Sequence, residues 1–210
     1  MAMVRVKGGA RAEQARQTRR RMVAAAGKLF LERGYGATAL QDVADAASVA
    51  VQTIYFTFGN KRALLKEFVD TTIAGDDEPV ATMDRDWFRE ALAAPAAEAL
   101  LRAHVRGTVA ILGRVAPVLE VLRAAATVDP GIAELWPRDR DPRYVVHAAA
   151  AETLVEKPGA ARDLQAARVA DVLFGVLSPE LYLVFVRDRG WRAEAWEEWA
   201  FTTLRAQLCR

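Results

Sequence analysis

The sequence predicts an all-α fold: an N-terminal three-helix unit, a connector helix, and a larger helical unit behind them. Three observations predict it. Apolar residues recur at helical spacing along most of the 210 residues, and β-type alternation is nearly absent. Alanine, the strongest helix former, fills 42 positions. Clusters of Gly, Pro, Asn and Asp punctuate the pattern at intervals that suit short and medium helices.

The elements follow in order. Met22, Ala26, Leu29 and Phe30 share one face of a first helix running from about Arg11 or Gln17 to Arg33, with Gly34 as its stop. Thr38 and Gln41 have the spacing of a capping box and open a short second helix, about Ala39 to Ala47. A three-residue turn, Ser48 to Ala50, leads to a third helix, Val51 to about Phe58. Gly59 and Asn60 break it, and Asn60 caps a fourth through Lys61, Leu64, Leu65, Phe68 and Val69. The acidic stretch from Gly75 to Pro79 reads as a linker. The expected organisation is a flexible basic arm at 1–16, a helix-turn-helix unit with its connector at 17–76, and a second unit at 80–210.

In the second unit, Trp87, Phe88 and Leu92 mark a short helix, and Pro95 starts a longer one through Leu101, Val105 and Leu112. Pro117 fits the first turn of the next helix, which ends near Val128. Asp129, Pro130 and Gly131 form a turn, and Tyr144 to Glu156 is helical again. Two last helices are expected, Asp163 to Arg187 with an interruption at Ser178 and Pro179, and Arg192 to Leu208.

Charge divides the chain. Net charge is +2, yet residues 1–62 hold eleven basic and four acidic residues, which leaves −5 for the remainder. A basic first third points to an anionic partner. No carboxylate occurs between Asp45 and Glu67. The single cysteine, Cys209, allows neither an intrachain disulfide nor a cysteine-rich metal site. Arg5, Lys7 and Arg11 are followed by no apolar run of a signal peptide, and the apolar stretches 107–113 and 172–179 fall far short of a bilayer span. A cytoplasmic protein without a membrane segment is expected.

The first three helices have the lengths and turn of a helix-turn-helix, which lays its third helix in the DNA major groove. Gln52 and Thr53 suit hydrogen bonds to base edges, and Val51 suits contact with a thymine methyl. Val49 and Ile54 point inward, leaving Tyr55 and Phe56 around the exposed side. Arg19, Arg20 and Arg21 open the first helix within reach of phosphates. The bland alternative is a small helical subdomain with a solvated polar face.

Leu29-Phe30, Gly34-Tyr35, Thr38, Val43-Ala44 and the run Val49 to Lys61 resemble the TetR family of bacterial transcriptional regulators over about Thr18 to Asp70. The resemblance implies a homodimeric, all-helical repressor whose C-terminal domain binds a small effector. It implies recognition by Val51 to Phe56, phosphate contacts from Tyr55 and Lys61, and a base or phosphate contact from Gln41. DNA-binding candidates are therefore Arg19, Thr38, Gln41, Val51, Gln52, Thr53, Tyr55, Phe56 and Lys61. Two positions depart from the family pattern: Ser48 stands where glycine is usual, and Ala50 where a capping serine or threonine is usual.

Catalytic and metal motifs are weak. Gly34 to Ala39 satisfies G-x-G-x-x-A, but a helix precedes it and no acidic residue follows at the spacing a dinucleotide site needs. His104 and His147 are far apart in sequence, and neither serine lies in a nucleophile elbow. No enzyme activity, cofactor or metal is expected. The two histidines suit polar points in an effector pocket, with Leu101, Thr108 and Leu112 beside one, Tyr144 beside the other, and Trp136 and Phe174 as further candidates. Ordinary core packing is the alternative for each.

Ser178-Pro179-Glu180, Arg189-Gly190-Trp191 and Trp196-x-x-Trp199 resemble the tail of part of the same family. Leu181, Phe185, Trp196, Trp199 and Leu204 are the candidate dimer surface, with intrachain packing as the alternative. The reading is a ligand-responsive repressor that binds a near-palindromic DNA operator as a homodimer and is released by a small, largely apolar effector. The alternatives are a DNA-binding protein without effector control and a helical enzyme with an incidental basic head.

Overall fold

A computed structural model describes residues 6–75, 81–135 and 141–210, with side chains from Ala10 onward. The described residues form helices and turns, with one isolated bridge between Ala160 and Cys209 and no strand. They fall into two compact units, each discontinuous in sequence: Met1–Thr71 with Glu120–Leu135, and Thr72–Leu119 with Trp136–Arg210.

The first unit contains α1 (Val6–Ala37), α2 (Leu40–Ala47), α3 (Val51–Phe58) and most of α4 (Lys61–Ala74). Met22, Ala26 and Phe30 of α1, Val43 and Ala44 of α2, Ile54 of α3, and Leu64, Leu65 and Val69 of α4 are all buried. Gly27 permits close packing here, because a Cβ there would fall 2.2 Å from the Phe68 ring. The segment 120–135 adds Leu122, Ala125 and Ile132 to the buried set; it comprises the end of α6 (Ala97–Val128) and the single turn α7 (Pro130–Ala133), capped by Asp129.

The second unit holds α5 (Asp86–Ala93), the first two-thirds of α6, α8 (Pro142–Val155), α9 (Ala166–Val176), α10 (Pro179–Leu183), a π-helical turn (Val184–Asp188) and α11 (Ala193–Leu208). Its core runs from Phe88 through Leu100, Leu101 and Val105 of α6 to Leu154 of α8, Leu173 of α9, and Trp196, Phe201 and Leu204 of α11. Ser178 caps α10 by accepting the Leu181 N–H at 3.3 Å, with Pro179 in the first turn where its missing donor costs nothing.

Four expectations change. Residues 6–16, expected as a flexible arm, continue α1; Ala, Arg and Gln favour helix, and Glu13 reaches Arg16 and Gln17 one turn on. Residues 1–5 lie outside the described ones, as does the expected linker from 76 onward. The helix break at Gly34 (φ 80°, ψ 163°) is a kink, after which one more turn reaches Ala37. The Thr38–Gln41 capping box does not form: α2 starts one residue later, with Ala39 as N-cap donating to Asp42 Oδ2 at 3.1 Å. Pro117 starts no helix but sits inside α6. It and Gly113, whose carbonyl it leaves unpaired within the helix, are both exposed, so water can take the carbonyl.

Residues 166–188 are, in length and composition, apolar enough to cross a membrane, longer than the stretch noted in the sequence. They form two helices and a π-turn broken at Ser178, with Val169, Ala170 and Leu173 buried in the protein core.

Candidate functional site

The turn before α3 is set by Ser48, which adopts left-handed geometry (φ 53°, ψ 51°) at the end of α2. Its N–H donates to Asp45 O at 3.1 Å, and Val49 N–H to Ala44 O at 3.0 Å. Ala50 then serves as N-cap of α3 without a capping side chain. Ser48 and Ala50 are thus the two residues that shape this turn.

Helix α3 is strongly two-faced. Ile54 and Phe58 are buried, whereas Gln52 is exposed, Tyr55 is 54% exposed and Phe56 is 93% exposed. Val51 and Thr53 are half-buried beside them. Gly59 (φ 79°) ends the helix, and Asn60 Oδ1 accepts the Ala63 N–H at 2.9 Å to start α4. A phenylalanine left almost wholly in water is unfavourable in the free protein, which makes Phe56 informative about a surface that meets a partner.

Lys61 places its ammonium 4.3 Å from the centre of the Tyr35 ring, and burial lowers its pKa. The Tyr35 hydroxyl donates to Asp129 Oδ2 at 3.1 Å, and Arg62 Nε reaches the same oxygen at 3.1 Å. Burial, then the Asp129 hydrogen bond, pushes the Tyr35 phenol up to about 12. Sequence reasoning missed Tyr35, Arg62 and Asp129 as a cluster; the turn residues Asp129-Pro130-Gly131 were the available signal.

The other DNA-binding candidates are less uniform. Arg19 donates from Nε to Glu67 Oε1 at 2.7 Å, a bond that raises its pKa, and stacks 4.7 Å over the Phe58 ring. Gln41 is exposed and donates to Asp45 Oδ1 at 2.8 Å. Thr38 is 1% exposed, and its hydroxyl donates to Gly34 O at 2.9 Å and lies 3.3 Å from Leu29 O. It locks the end of α1 and offers nothing to a partner.

In the second unit the histidines, 43 residues apart in sequence, meet: His104 Nε2 and His147 Nδ1 share a hydrogen bond of 2.9 Å. Burial drives both to the neutral form, His104 to about 3 and His147 to about 4, with mutual repulsion and the Arg143 charge adding to it respectively. His104 Nδ1 has no hydrogen-bond partner among the described residues. Phe174 packs on His147 and Tyr144, whose hydroxyl donates to Asp171 at 3.2 Å, and Thr108 donates to the His104 carbonyl at 2.8 Å. Leu101 and Leu112 are buried in the same core, and Trp136 lies outside the described residues. No group of three or more metal-ligating side chains gathers among the described residues.

A cavity of about 700 Å³ lies elsewhere in this unit. None of the expected effector residues among the described ones lines it. Its floor is the face of α6 bearing Ala99, Ala103, Gly107, Ala110 and Ile111; its walls include Trp87 and the end of α4 at Ile73 and Ala74. Arg85, Arg102, Arg106 and Arg114 surround it, against Glu90. The small residues recur at helical spacing, a signal present in the sequence but read there only as helix propensity.

Of the expected dimer residues, Trp196 and Leu204 are fully buried within one chain and unavailable to a second. Leu181, Phe185 and Trp199 are half-buried. Phe185 packs 4.7 Å from Trp191 and 4.9 Å from Trp199, beside exposed Val184.

Residues 22–68 match the family model described as bacterial regulatory proteins, tetR family. Over 59 residues the chain is 37% identical to the HTH-type transcriptional regulator TtgR of Pseudomonas putida, a match spanning 28% of either protein. Among solved structures, NalD, the secondary repressor of the MexAB-OprM multidrug efflux pump in Pseudomonas aeruginosa, is similar with a TM-score of 0.63 and 17% identity, covering 94% of this chain and 98% of that one. A transcriptional regulator from Saccharomonospora viridis in complex with choline gives 0.69 and 19%, covering 92% and 98%. These likenesses extend the shared fold over both units.

Proposed function

We propose, from the match of residues 22–68 to the family model of bacterial regulatory proteins, tetR family, that the chain is a cytoplasmic transcriptional repressor that binds a near-palindromic operator as a homodimer. The observation that carries the proposal is the outer face of α3: Gln52, Tyr55 and Phe56 exposed on a helix fixed from behind by Ile54 and Phe58. Gln52 and Thr53 read base edges, Phe56 and Val51 meet thymine methyls, and Tyr55 and Lys61 hold phosphates. The absence of carboxylates from 46 to 66 keeps this face free of repulsion toward the backbone. A dimer sets two such helices about 34 Å apart, one helical turn of DNA.

Release by a small molecule completes the proposal. It is supported by a ligand-sized cavity in the second unit and by the two helices, α4 and α6, whose residues are divided between the units. An effector can shift DNA affinity only by its own affinity difference between the states. The test is binding of the purified protein to the duplex upstream of its own gene, against a scrambled duplex, at two salt concentrations. Tight, salt-sensitive preference for the upstream duplex supports the proposal. Equal weak binding to both favours a sequence-tolerant binder, and no binding at low salt rejects the DNA-binding role.

A further inference from the structure

We infer that the cavity beside Trp87 is a site for an aromatic organic anion, a flat ring system carrying a carboxylate, sulfonate or phosphate. The inference rests on the ligand-responsive reading above and gives that reading a ligand class.

Shape supplies the first argument. The cavity, about 700 Å³, lies within the usual range for small-molecule sites. Its α6 floor is smooth because Ala99, Ala103, Gly107 and Ala110 project little or nothing. Trp87 seats so closely on Gly107 that an added Cβ would fall 2.1 Å from the indole, so the aromatic wall is fixed before any ligand arrives. A flat ring can pack along such a wall and floor, burying apolar area without displacing a side chain.

Charge supplies the second. Four arginines face one glutamate among the lining residues. Arg102 and Arg106, one turn apart on α6, reach Glu198 and Glu197 of α11 at 3.1 and 3.6 Å, with the arginine side chains 49% and 78% exposed. Exposed pairs of this kind are weak and readily exchanged, and a guanidinium fork matches the paired oxygens of an incoming anion. A quaternary cation such as choline, held by the Saccharomonospora viridis regulator, meets like charge here.

The test uses two probes with the same ring body, anilinonaphthalene sulfonate and the neutral phenylnaphthylamine, titrated into the full-length protein by fluorescence. The expected result is one site that binds the sulfonate at least about ten-fold more tightly, the scale of a charge-assisted hydrogen bond. Arg102→Gln, Arg106→Gln and Arg114→Gln, all on exposed side chains, should each weaken the sulfonate about three- to ten-fold and leave the neutral probe unchanged. Naphthoate should displace the sulfonate, and choline should not. Equal affinity for the two probes, or sulfonate binding unmoved by all three substitutions, overturns the assignment. Duplex binding followed in the same samples separates the two ideas: duplex retained on a protein whose site is filled overturns ligand-controlled release while supporting the anion site.

Discussion

The phenol of Tyr35, at the end of α1, donates to Oδ2 of Asp129, 94 residues later, at 3.1 Å. Asp129 is also the N-cap of α7 and the partner of Arg62 at the start of α4. One carboxylate therefore joins three segments of the first unit, and the Lys61 ammonium rests on the ring of the same tyrosine. Local changes at Asp129 should reach the residues that flank α3.

Asp129→Ala is expected to destabilise the protein by about 1 to 3 kcal/mol, since it removes a cap and a charge-assisted bond and strands the Tyr35 hydroxyl. Tyr35→Phe should cost about 1 kcal/mol. Denaturant melts of the two variants and their combination should be non-additive by at least about 0.5 kcal/mol; strict additivity would mean the bond carries no energy.

Phe56→Ala is expected to leave stability within about 0.5 kcal/mol, because the side chain is 93% exposed. Its effect should fall on operator binding, at the thymines it touches. Replacing those thymines by uracil, which removes the methyl alone, should weaken the wild-type protein by about 1 kcal/mol or more and the variant hardly at all. Equal sensitivity in both would remove Phe56 from base reading.

Lys61→Ala should weaken binding to every duplex alike and lower the salt slope by about one, whereas Gln52→Ala should relax sequence preference at constant slope. A salt titration on matched and scrambled duplexes distinguishes these outcomes. Identical behaviour of the two variants would contradict the separate roles given to them.

Ser48→Gly should stabilise the turn by about 1 kcal/mol, since a non-glycine residue at φ 53° pays a steric penalty. Ala50→Ser should add a cap worth about 0.5 to 2 kcal/mol to α3. Chemical denaturation reads both. A destabilised Ser48→Gly would show that the serine hydroxyl contributes more than the backbone strain costs.

The histidine pair predicts acid sensitivity. The unfolded chain protonates both imidazoles near pH 6.5, while the folded chain resists to about 4 at His147 and about 3 at His104. Stability is therefore complete above about pH 6.5 and falls as the pH drops toward 4, by up to about 1.4 kcal/mol per pH unit for each histidine. His147→Asn should flatten that slope in thermal melts. A wild-type melting temperature that is constant from about pH 7.5 to 5 would contradict the assignment of two neutral, buried imidazoles.

The parts legible in the sequence are those that local chemistry determines. Gly59 and Asn60 mark the end of α3 and the cap of α4 by type alone, and the inward Val49 and Ile54 put Gln52 and Phe56 around the exposed side. Local rules failed where two answers were chemically reasonable. Pro117 fits either a helix start or an exposed helix interior, and its type alone does not select between them. Thr38 has the chemistry of a cap, yet its hydroxyl finds carbonyls of α1 nearer. The meeting of His104 with His147 and the choice of Trp196 and Leu204 for the interior depend on how helices pair, which spacing within one helix does not encode. The arginine-rimmed cavity was hidden because alanine signals helix propensity and glycine a break, and neither gives a hint of the space it leaves.

The first unit is assembled from two stretches of chain, 1–71 and 120–135, and the second stretch supplies Asp129 and Ile132. A chimera that grafts residues 1–76 onto another protein's helical unit would inherit α3 intact but lose the carboxylate under Tyr35 and Arg62 and the apolar cover of Ile132. Successful recombination with a relative must carry both stretches or import a counterpart for the second. The head is therefore not a cassette, and its specificity can be transplanted more safely by exchanging the outer face of α3 than by moving the whole unit.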